Sequence, residues 1–105
     1  MATVEERIKA LKTTTDRAEA VKTIGLFLVE LEKGTVRAAF RDDAGEWKAH
    51  AWVKEAILAA FRFGVMSEFA SGALSFVDKD TIPPRRFKTH DGVRIVPGGS
   101  SVRIE

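Results

Sequence analysis

The sequence predicts an α+β fold, in which a few helices and a β-hairpin share one small core. Three observations predict it. Apolar residues recur at helical spacing in the first third of the chain, alternate with polar residues through positions 36–49, and return to helical spacing over positions 49–63. At 105 residues, the chain has room for one small domain.

Two helices are expected before residue 35. Thr3 and Glu6 form a capping-box pattern, and the apolar residues behind them predict a short amphipathic helix that ends in the threonine run 13–15. Asp16 and Glu19 form a second such pattern, with acidic groups at the positive end of the next helix. A clear apolar stripe follows and predicts that this helix packs against a core.

Two glycines are expected to have different roles, one at the end of the second helix and one inside it. Gly34 follows Lys33, where a left-handed residue commonly ends a helix. Gly25 lies inside the helix and weakens it by about 1 kcal/mol relative to alanine. We expect Gly25 to permit close packing.

A β-hairpin is expected next, followed by a third helix. The turn sequence at positions 42–45 divides the alternating segment into two strands. The helix over positions 50–63 is apolar nearly all round, so it is expected either at the centre of the core or under a partner. Gly64 is expected to end it.

The remainder of the chain is less regular. We expect an irregular stretch over residues 65–91, with a short strand at 74–77 and an interruption at Pro83 and Pro84. Residues 92–96 predict a strand, 97–99 a turn, and Val102 the start of a second strand. This ending suggests the N-terminal piece of something longer, with a domain over residues 1–91 and a linker and first strand over 92–105.

Composition excludes several classes of function. The chain has no cysteine, which excludes a disulfide framework, a cysteine nucleophile and a thiolate metal site. The start of the chain lacks the pattern of a signal peptide. Every long apolar stretch is interrupted by a charge before it reaches membrane-spanning length. A net charge of +2 is weak, so we expect neither nucleic acid nor a membrane as partner.

The histidines and serines present few candidates for catalysis. His50 begins a helix between two tryptophans, where packing or capping is favoured over a role as catalytic base. His90 is expected in an exposed loop. Ser100 and Ser101 follow two glycines in a segment that could bind an anion, although a plain turn is favoured because no strand–elbow–helix context surrounds it.

Two basic features stand out near the end of the chain. Arg85, Arg86 and Lys88 flank Phe87, a combination that suits phosphate or single-stranded nucleic acid but that also occurs in solvated loops. Arg94 lies among apolar residues in the predicted strand. There it could hold a carboxylate bidentately or point into solvent, and the residues alone leave both open.

The motifs also resemble a known family. Residues 45–62 are similar to the G-x-W…H-x-W-[LV]-K-x-A-[IV]-L…F-R pattern in the N-terminal domain of the tetrahydrodipicolinate N-succinyltransferases. Residues 76–79, 82–83 and 92–103 look like the family's F-x-D-K, [IV]-P and G-x-R-[VI]-V-P-x-x-x-V-R segments, in the same order. The resemblance covers about residues 20–105.

This resemblance implies a cytoplasmic enzyme of lysine biosynthesis by the diaminopimelate pathway. Family members transfer a succinyl group from the co-substrate succinyl-CoA to a dicarboxylic substrate, and they form homotrimers. Their N-terminal domain precedes a left-handed parallel β-helix of hexapeptide repeats, which this chain lacks. The resemblance assigns substrate binding to Arg94, and it assigns no catalytic, cofactor-binding or metal-binding residue to this chain.

Taken alone, the chain is therefore expected to be inactive. It would be the N-terminal portion of the acyltransferase, or alternatively a stand-alone interaction module without catalytic activity that derives from this domain. A small nucleic-acid binder that uses the Arg85 cluster is the least favoured interpretation.

Overall fold

The computed structural model describes residues 2–96, 102 and 104, and it confirms the α+β class. Three helices and two antiparallel hairpins follow one another along the chain. The helices are α1 (Val4–Ala10), α2 (Arg17–Lys33) and α3 (Ala51–Phe63); the strands are β1 (Ala39–Arg41), β2 (Trp47–Ala49), β3 (Met66–Ser71) and β4 (Leu74–Lys79). A short 3-10 helix lies at Thr89–Asp91.

The starts of α1 and α2 lie where the capping residues predict them, whereas α1 ends at Ala10, before the threonine run 13–15 that was expected to end it. The hydroxyl of Thr3 accepts a hydrogen bond from the Glu6 N–H at 3.1 Å, and the carboxylate of Asp16 accepts one from the Glu19 N–H at 3.3 Å. Each cap satisfies an N–H group that the helix itself leaves unpaired. Gly34 ends α2 with a φ of 84°, the left-handed conformation expected there.

The core lies between the three helices, each of which contacts the other two. Phe27 and Ala56 are fully buried, and Ile24 and Val53 are nearly so. α3 therefore lies at the centre of the core. This was one of the two positions that the sequence allowed for it, the other being beneath a partner. Its Leu58 remains 53% exposed on the outer face.

The first hairpin is confirmed, and it is exposed on both faces. Phe40 pairs with Lys48 in its register, and Arg41 pairs with Trp47. Trp47 is 70% exposed, with the Arg41 guanidinium 5.7 Å from its ring centroid. This hairpin therefore contributes little to the core.

The expectation of an irregular stretch over residues 65–91 is wrong for its first half, which forms the hairpin of β3 and β4. Phe69 pairs with Phe76, and Ser71 pairs with Leu74 across a two-residue loop. Gly72, the first loop residue, has a φ of 58°, which suits the tight turn of a hairpin. The short strand expected at 74–77 is confirmed as part of β4. The large apolar residues of β3, Met66 and Phe69, are three positions apart and do not alternate with polar residues at a spacing of two, so the sequence gave little signal for this strand.

Gly64 ends α3 as expected, but for a tertiary reason. Its φ of −74° is open to any residue. A Cβ at this position would lie 2.6 Å from the Thr81 hydroxyl oxygen and 2.8 Å from the Ala60 carbonyl oxygen. Thr81 is buried and donates its hydroxyl proton to that same carbonyl at 2.5 Å. Glycine is required here because β4 leads the chain back against the end of α3.

Two further expectations are wrong. Residues 92–96 form no strand. Gly25 makes no close contact among the described residues, since a Cβ there would meet nothing within 4 Å. The expected turn at 97–99 lies outside the described residues, and the domain boundary at residues 91 and 92 stays a prediction.

Candidate functional site

Arg94, the residue singled out for substrate binding, lies on an exposed segment. This segment follows the 3-10 helix and Gly92, whose φ is 69°. Val93 and Val96 on either side of Arg94 are 51% and 70% exposed. Within the part of the chain that the structure describes, Arg94 makes no hydrogen bond or ion pair. Its guanidinium group can therefore receive a carboxylate through two parallel hydrogen bonds.

The chain that carries Arg94 is tied together at its base. The Arg85 N–H donates to the Val102 carbonyl at 2.5 Å, and the Ile104 N–H donates to the Pro83 carbonyl at 3.0 Å. These two bonds make an antiparallel pairing between residues 83–85 and the segment of Val102 and Ile104. Val102 and Ile104 are not in a strand, contrary to the prediction that a second strand starts at Val102, but the pairing gives them a partner segment that the sequence did not reveal.

The basic cluster is partly neutralised by its neighbours. The Arg85 Nε lies 3.3 Å from a carboxylate oxygen of Glu32 on α2, and the Arg85 guanidinium carbon lies 4.6 Å from the centroid of the Phe87 ring. The Lys88 N–H donates to the Asp91 carboxylate at 2.7 Å, which adds a second negative charge beside the cluster. Arg86 and Lys88 are exposed. This arrangement favours a structural role for Arg85 over a continuous phosphate-binding face.

The two histidines are placed as the favoured interpretations expect. The His50 ring stacks on Phe40 with 4.4 Å between centroids, and its backbone N–H donates to the Ala38 carbonyl at 2.8 Å. The His50 side chain makes no capping hydrogen bond, so its role is to pack the first hairpin against the start of α3. The His90 side chain is 79% exposed. Ser100 and Ser101 lie outside the described residues.

An apolar groove of about 580 Å³ runs along α2 and was not anticipated. Val21, Gly25, Leu28 and Val29 form its helical wall, and Pro83 and Ile104 line the other side. The sequence signal was present, because these four positions of α2 share one face and include a residue without a side chain. Ile104 also packs against the buried core. The groove is therefore where the end of the described chain rests on the helices.

Asp80, which also lines this groove, connects the start of α2, the end of α3 and the chain that follows α3. Its carboxylate accepts hydrogen bonds from the Val65 N–H and from Arg17, each at 2.9 Å. Arg17 also donates to the Phe63 carbonyl at 3.0 Å. The bond from the Val65 N–H is the main reason why the pKa of Asp80 lies below its ordinary value, and Arg17 adds to this effect against the opposing effect of desolvation. No sequence pattern predicted this junction, since its members are far apart in the chain.

Asp42 plays a similar local role in the turn of the first hairpin. Its carboxylate accepts hydrogen bonds from the Glu46 and Ala44 N–H groups and lies 3.1 Å from the Lys48 ammonium. The Glu46 bond first, and Lys48 second, lower the pKa of Asp42. The carboxylates of Asp42 and Asp80 thus stabilise a turn and a junction between elements.

The described residues lack two further features. They contain no group of three or more histidine, aspartate or glutamate side chains that could hold a metal ion. None of the helices in these residues is long and apolar enough to cross a membrane.

Comparison with known proteins places the chain among acyltransferase domains. Residues 2–63 match the family model described as tetrahydrodipicolinate N-succinyltransferase N-terminal. The 2,3,4,5-tetrahydropyridine-2,6-dicarboxylate N-succinyltransferase of Variovorax paradoxus is 34% identical over 76% of this chain and 30% of its own length. The enzymes of the same name from Leptothrix cholodnii and Nitrosospira multiformis are 39% and 32% identical over 67% and 91% of this chain. These matches cover 27% and 37% of the two relatives, so the chain spans about a third of their length.

Proposed function

The chain belongs to the family of tetrahydrodipicolinate N-succinyltransferase N-terminal domains, and from that premise we propose that it serves as the substrate-orienting N-terminal part of such an enzyme. The reaction would transfer a succinyl group from succinyl-CoA to the amino group of the open-chain dicarboxylic substrate, in the diaminopimelate route to lysine. The active assembly would be a cytoplasmic homotrimer. The observation that carries this proposal is the family match over residues 2–63, extended by relatives that align with up to 91% of the chain.

Arg94 is the residue that would act on the substrate. Its guanidinium group is exposed and without a partner among the described residues, and the names of the relatives specify a dicarboxylate. A bidentate arginine–carboxylate pair fixes the orientation of the substrate as well as neutralising one of its charges. The contribution of Arg94 would therefore be to hold the substrate in one pose.

Orientation contributes to this reaction because acyl transfer requires the amine nitrogen to approach the thioester carbon along a narrow path. Holding the two reactants in that geometry removes much of the entropic part of the barrier. The attacking amine must also be deprotonated, and a general base has to take up its proton. The described residues supply the orienting arginine and no evident base, so we expect residues 1–105 alone to be inactive.

A hybrid enzyme tests this function. Residues 1–105 would replace the matching N-terminal part of the Variovorax paradoxus relative, and succinyl transfer would be followed by release of free CoA. We expect the hybrid to be active. Arg94→Gln in the hybrid should raise KM for the dicarboxylate by roughly tenfold or more, because one charge-assisted bidentate contact is lost. An inactive but folded hybrid would refute the proposed function, and unchanged kinetics of the Arg94 variant would refute the role of Arg94.

A second candidate function is that of a stand-alone interaction module. It is favoured by exposed apolar side chains around the second hairpin, where Val65, Met66 and Val77 are 52%, 58% and 61% exposed. Under this alternative, the purified chain should bind a partner protein through these side chains, and Val77→Asp should abolish binding without changing the fold. The hybrid enzyme separates the two functions, because only the first requires transferase activity.

A further inference from the structure

The segment that carries Arg94 has little support of its own. Val93, Ile95 and Val96 are all at least 40% exposed, and the segment belongs to neither a helix nor a strand. The position of Arg94 therefore depends on how firmly the chain is held on either side of it. Several of the contacts on either side of it are made by one residue.

That residue is Arg85, which contacts three different parts of the molecule. Its backbone N–H donates to the Val102 carbonyl, and this bond joins the two ends of the loop that carries Arg94, which the structure describes over residues 86–96. Its guanidinium group reaches across to α2, where the Nε lies 3.3 Å from the Glu32 carboxylate. The same group lies 4.6 Å from the centroid of Phe87, within the loop itself. Arg85 thus connects the rigid helical core, the start of the loop and its end.

The second contact at the base of the loop is made by Ile104 and combines a hydrogen bond with apolar packing. Ile104 donates its N–H to the Pro83 carbonyl at 3.0 Å and packs against the buried core beside α2. Pro83 and Pro84 limit the backbone freedom of the partner segment, since each ring holds its own φ near −65°. The base of the loop is therefore restrained by Pro83, Pro84 and Ile104, while Arg85 sets its alignment with α2.

Inside the loop, a short 3-10 helix lies between Arg85 and Arg94 and restrains the chain there. The Asp91 carboxylate accepts a hydrogen bond from the Lys88 N–H at 2.7 Å, and the Asp91 N–H donates to the Lys88 carbonyl at 3.0 Å. Only two residues, Gly92 and Val93, separate Asp91 from Arg94 along the chain. The turn from Lys88 to Asp91 is held by hydrogen bonds at both ends, so a displacement of Arg85 would also displace the chain that leads to Arg94.

We propose that Arg85, paired with Glu32 on α2, is a positioning residue for Arg94. This inference rests on the proposed function, in which Arg94 holds a carboxylate of the substrate. Arg85 does not contact the substrate in this proposal; it fixes the base of the loop so that the Arg94 guanidinium group is presented in one place. A displacement of about 1 Å at a substrate contact is enough to reduce a rate by as much as 10²-fold, so a modest exposed ion pair can have a large effect on function.

The test uses the whole 105-residue chain, labelled with ¹⁵N, and has two readouts. The first is the set of amide chemical shifts and heteronuclear NOE values of residues 93–96, which report on the order of the segment directly. The second is the dissociation constant for pyridine-2,6-dicarboxylate, used as a stable dicarboxylate probe. The variants are Arg85→Gln, Glu32→Gln, Arg85→Lys and Arg94→Gln. Lys12→Gln is the matched control, because it breaks an ion pair of similar length, 3.4 Å, between Lys12 and Glu55 away from the loop.

We expect Arg85→Gln and Glu32→Gln to lower the NOE values of residues 93–96 and to weaken probe binding by about three- to tenfold. Arg85→Lys keeps a cation for both Glu32 and Phe87, so it should retain binding within about twofold of the original chain. Lys12→Gln should change neither readout.

The inference is overturned if Arg85→Gln leaves the amide signals of residues 93–96 unchanged, or if Lys12→Gln alters them to the same extent. It is also overturned if Arg85→Lys behaves like Arg85→Gln, since the effect would then not depend on the charge pair. Failure of the proposed function gives a different result: the original chain and Arg94→Gln would bind the probe equally, while the amide signals would still respond to Arg85→Gln.

Discussion

The three-helix region and the region after residue 64 differ in how they are stabilised. The helices bury their apolar side chains against one another, and side-chain caps at the starts of α1 and α2 satisfy one N–H group in each. The second hairpin exposes most of its apolar side chains, and it is attached to the helices through single polar junctions such as those of Thr81 and Asp80. Isolated two-stranded hairpins are marginal in water. The comparison indicates that the helices supply the stability and that the later region depends on a few contacts with them.

The largest expected effect is that of Phe27→Ala in the core. Phe27 is fully buried and meets the Trp52 ring edge-on, with 5.7 Å between centroids. Its loss should reduce the free energy of unfolding by about 3–5 kcal/mol. Chemical denaturation, monitored by circular dichroism, measures this change in the free energy of unfolding. Val77→Ala in the exposed hairpin is the control and should change stability by less than about 0.5 kcal/mol; equal effects would contradict the contrast between the two regions.

A pair of glycine variants tests the attachment of the hairpin to the helices. Gly64→Ala forces a Cβ against the Thr81 hydroxyl and the Ala60 carbonyl, so it should destabilise the chain by about 1–3 kcal/mol. Gly25→Ala places a methyl group in open space within a helix and should stabilise it by about 0.5–1 kcal/mol. Thermal unfolding should show opposite shifts in Tm. Shifts of the same sign would mean that the close approach at Gly64 is not restrictive.

The smallest expected effect is a dependence on pH at the Asp80 junction. The pKa of Asp80 lies below its ordinary value of 3.8 in the folded chain, so the unfolded chain binds more protons as the pH falls through this range. The stability that Asp80 contributes is therefore fully present above about pH 5 and is lost as the pH falls through the folded-state pKa. Unfolding midpoints measured from pH 6 to pH 3 should fall less steeply for Asp80→Asn than for the original chain.

A matched variant in the first hairpin sharpens this measurement. Asp42 has a lowered pKa as well, but its carboxylate contacts groups of the first hairpin, namely the Ala44 and Glu46 N–H groups and the Lys48 ammonium. Asp42→Asn should therefore alter the pH dependence of the first hairpin while leaving amide exchange in β3 and β4 unchanged. If both variants had the same effect on amide exchange in β3 and β4, Asp80 would not be a specific junction for the second hairpin.

Much of the helical region could be predicted because its signals are local. The caps at Thr3 and Asp16 and the stop at Gly34 depend on residues within one helical turn, and the apolar stripes show which face is buried. The second hairpin was missed because β3 has no regular alternation of apolar and polar residues, so its pairing with β4 stabilises a strand that its own residues favour weakly. Arg94 was identified through motif resemblance, whereas the structure shows only that it is exposed among the described residues.

The α+β class, the three helices, the first hairpin and membership of an acyltransferase family could all be predicted from the amino-acid sequence. These follow from periodicity, turn residues and motifs that are read within short stretches of chain. The three-dimensional fold was needed to show why Gly64 must be glycine, where Ile104 rests, and that Arg85 pairs with Glu32 across 53 positions of sequence. Such contacts depend on how separate elements approach one another in space, and no local pattern encodes that approach.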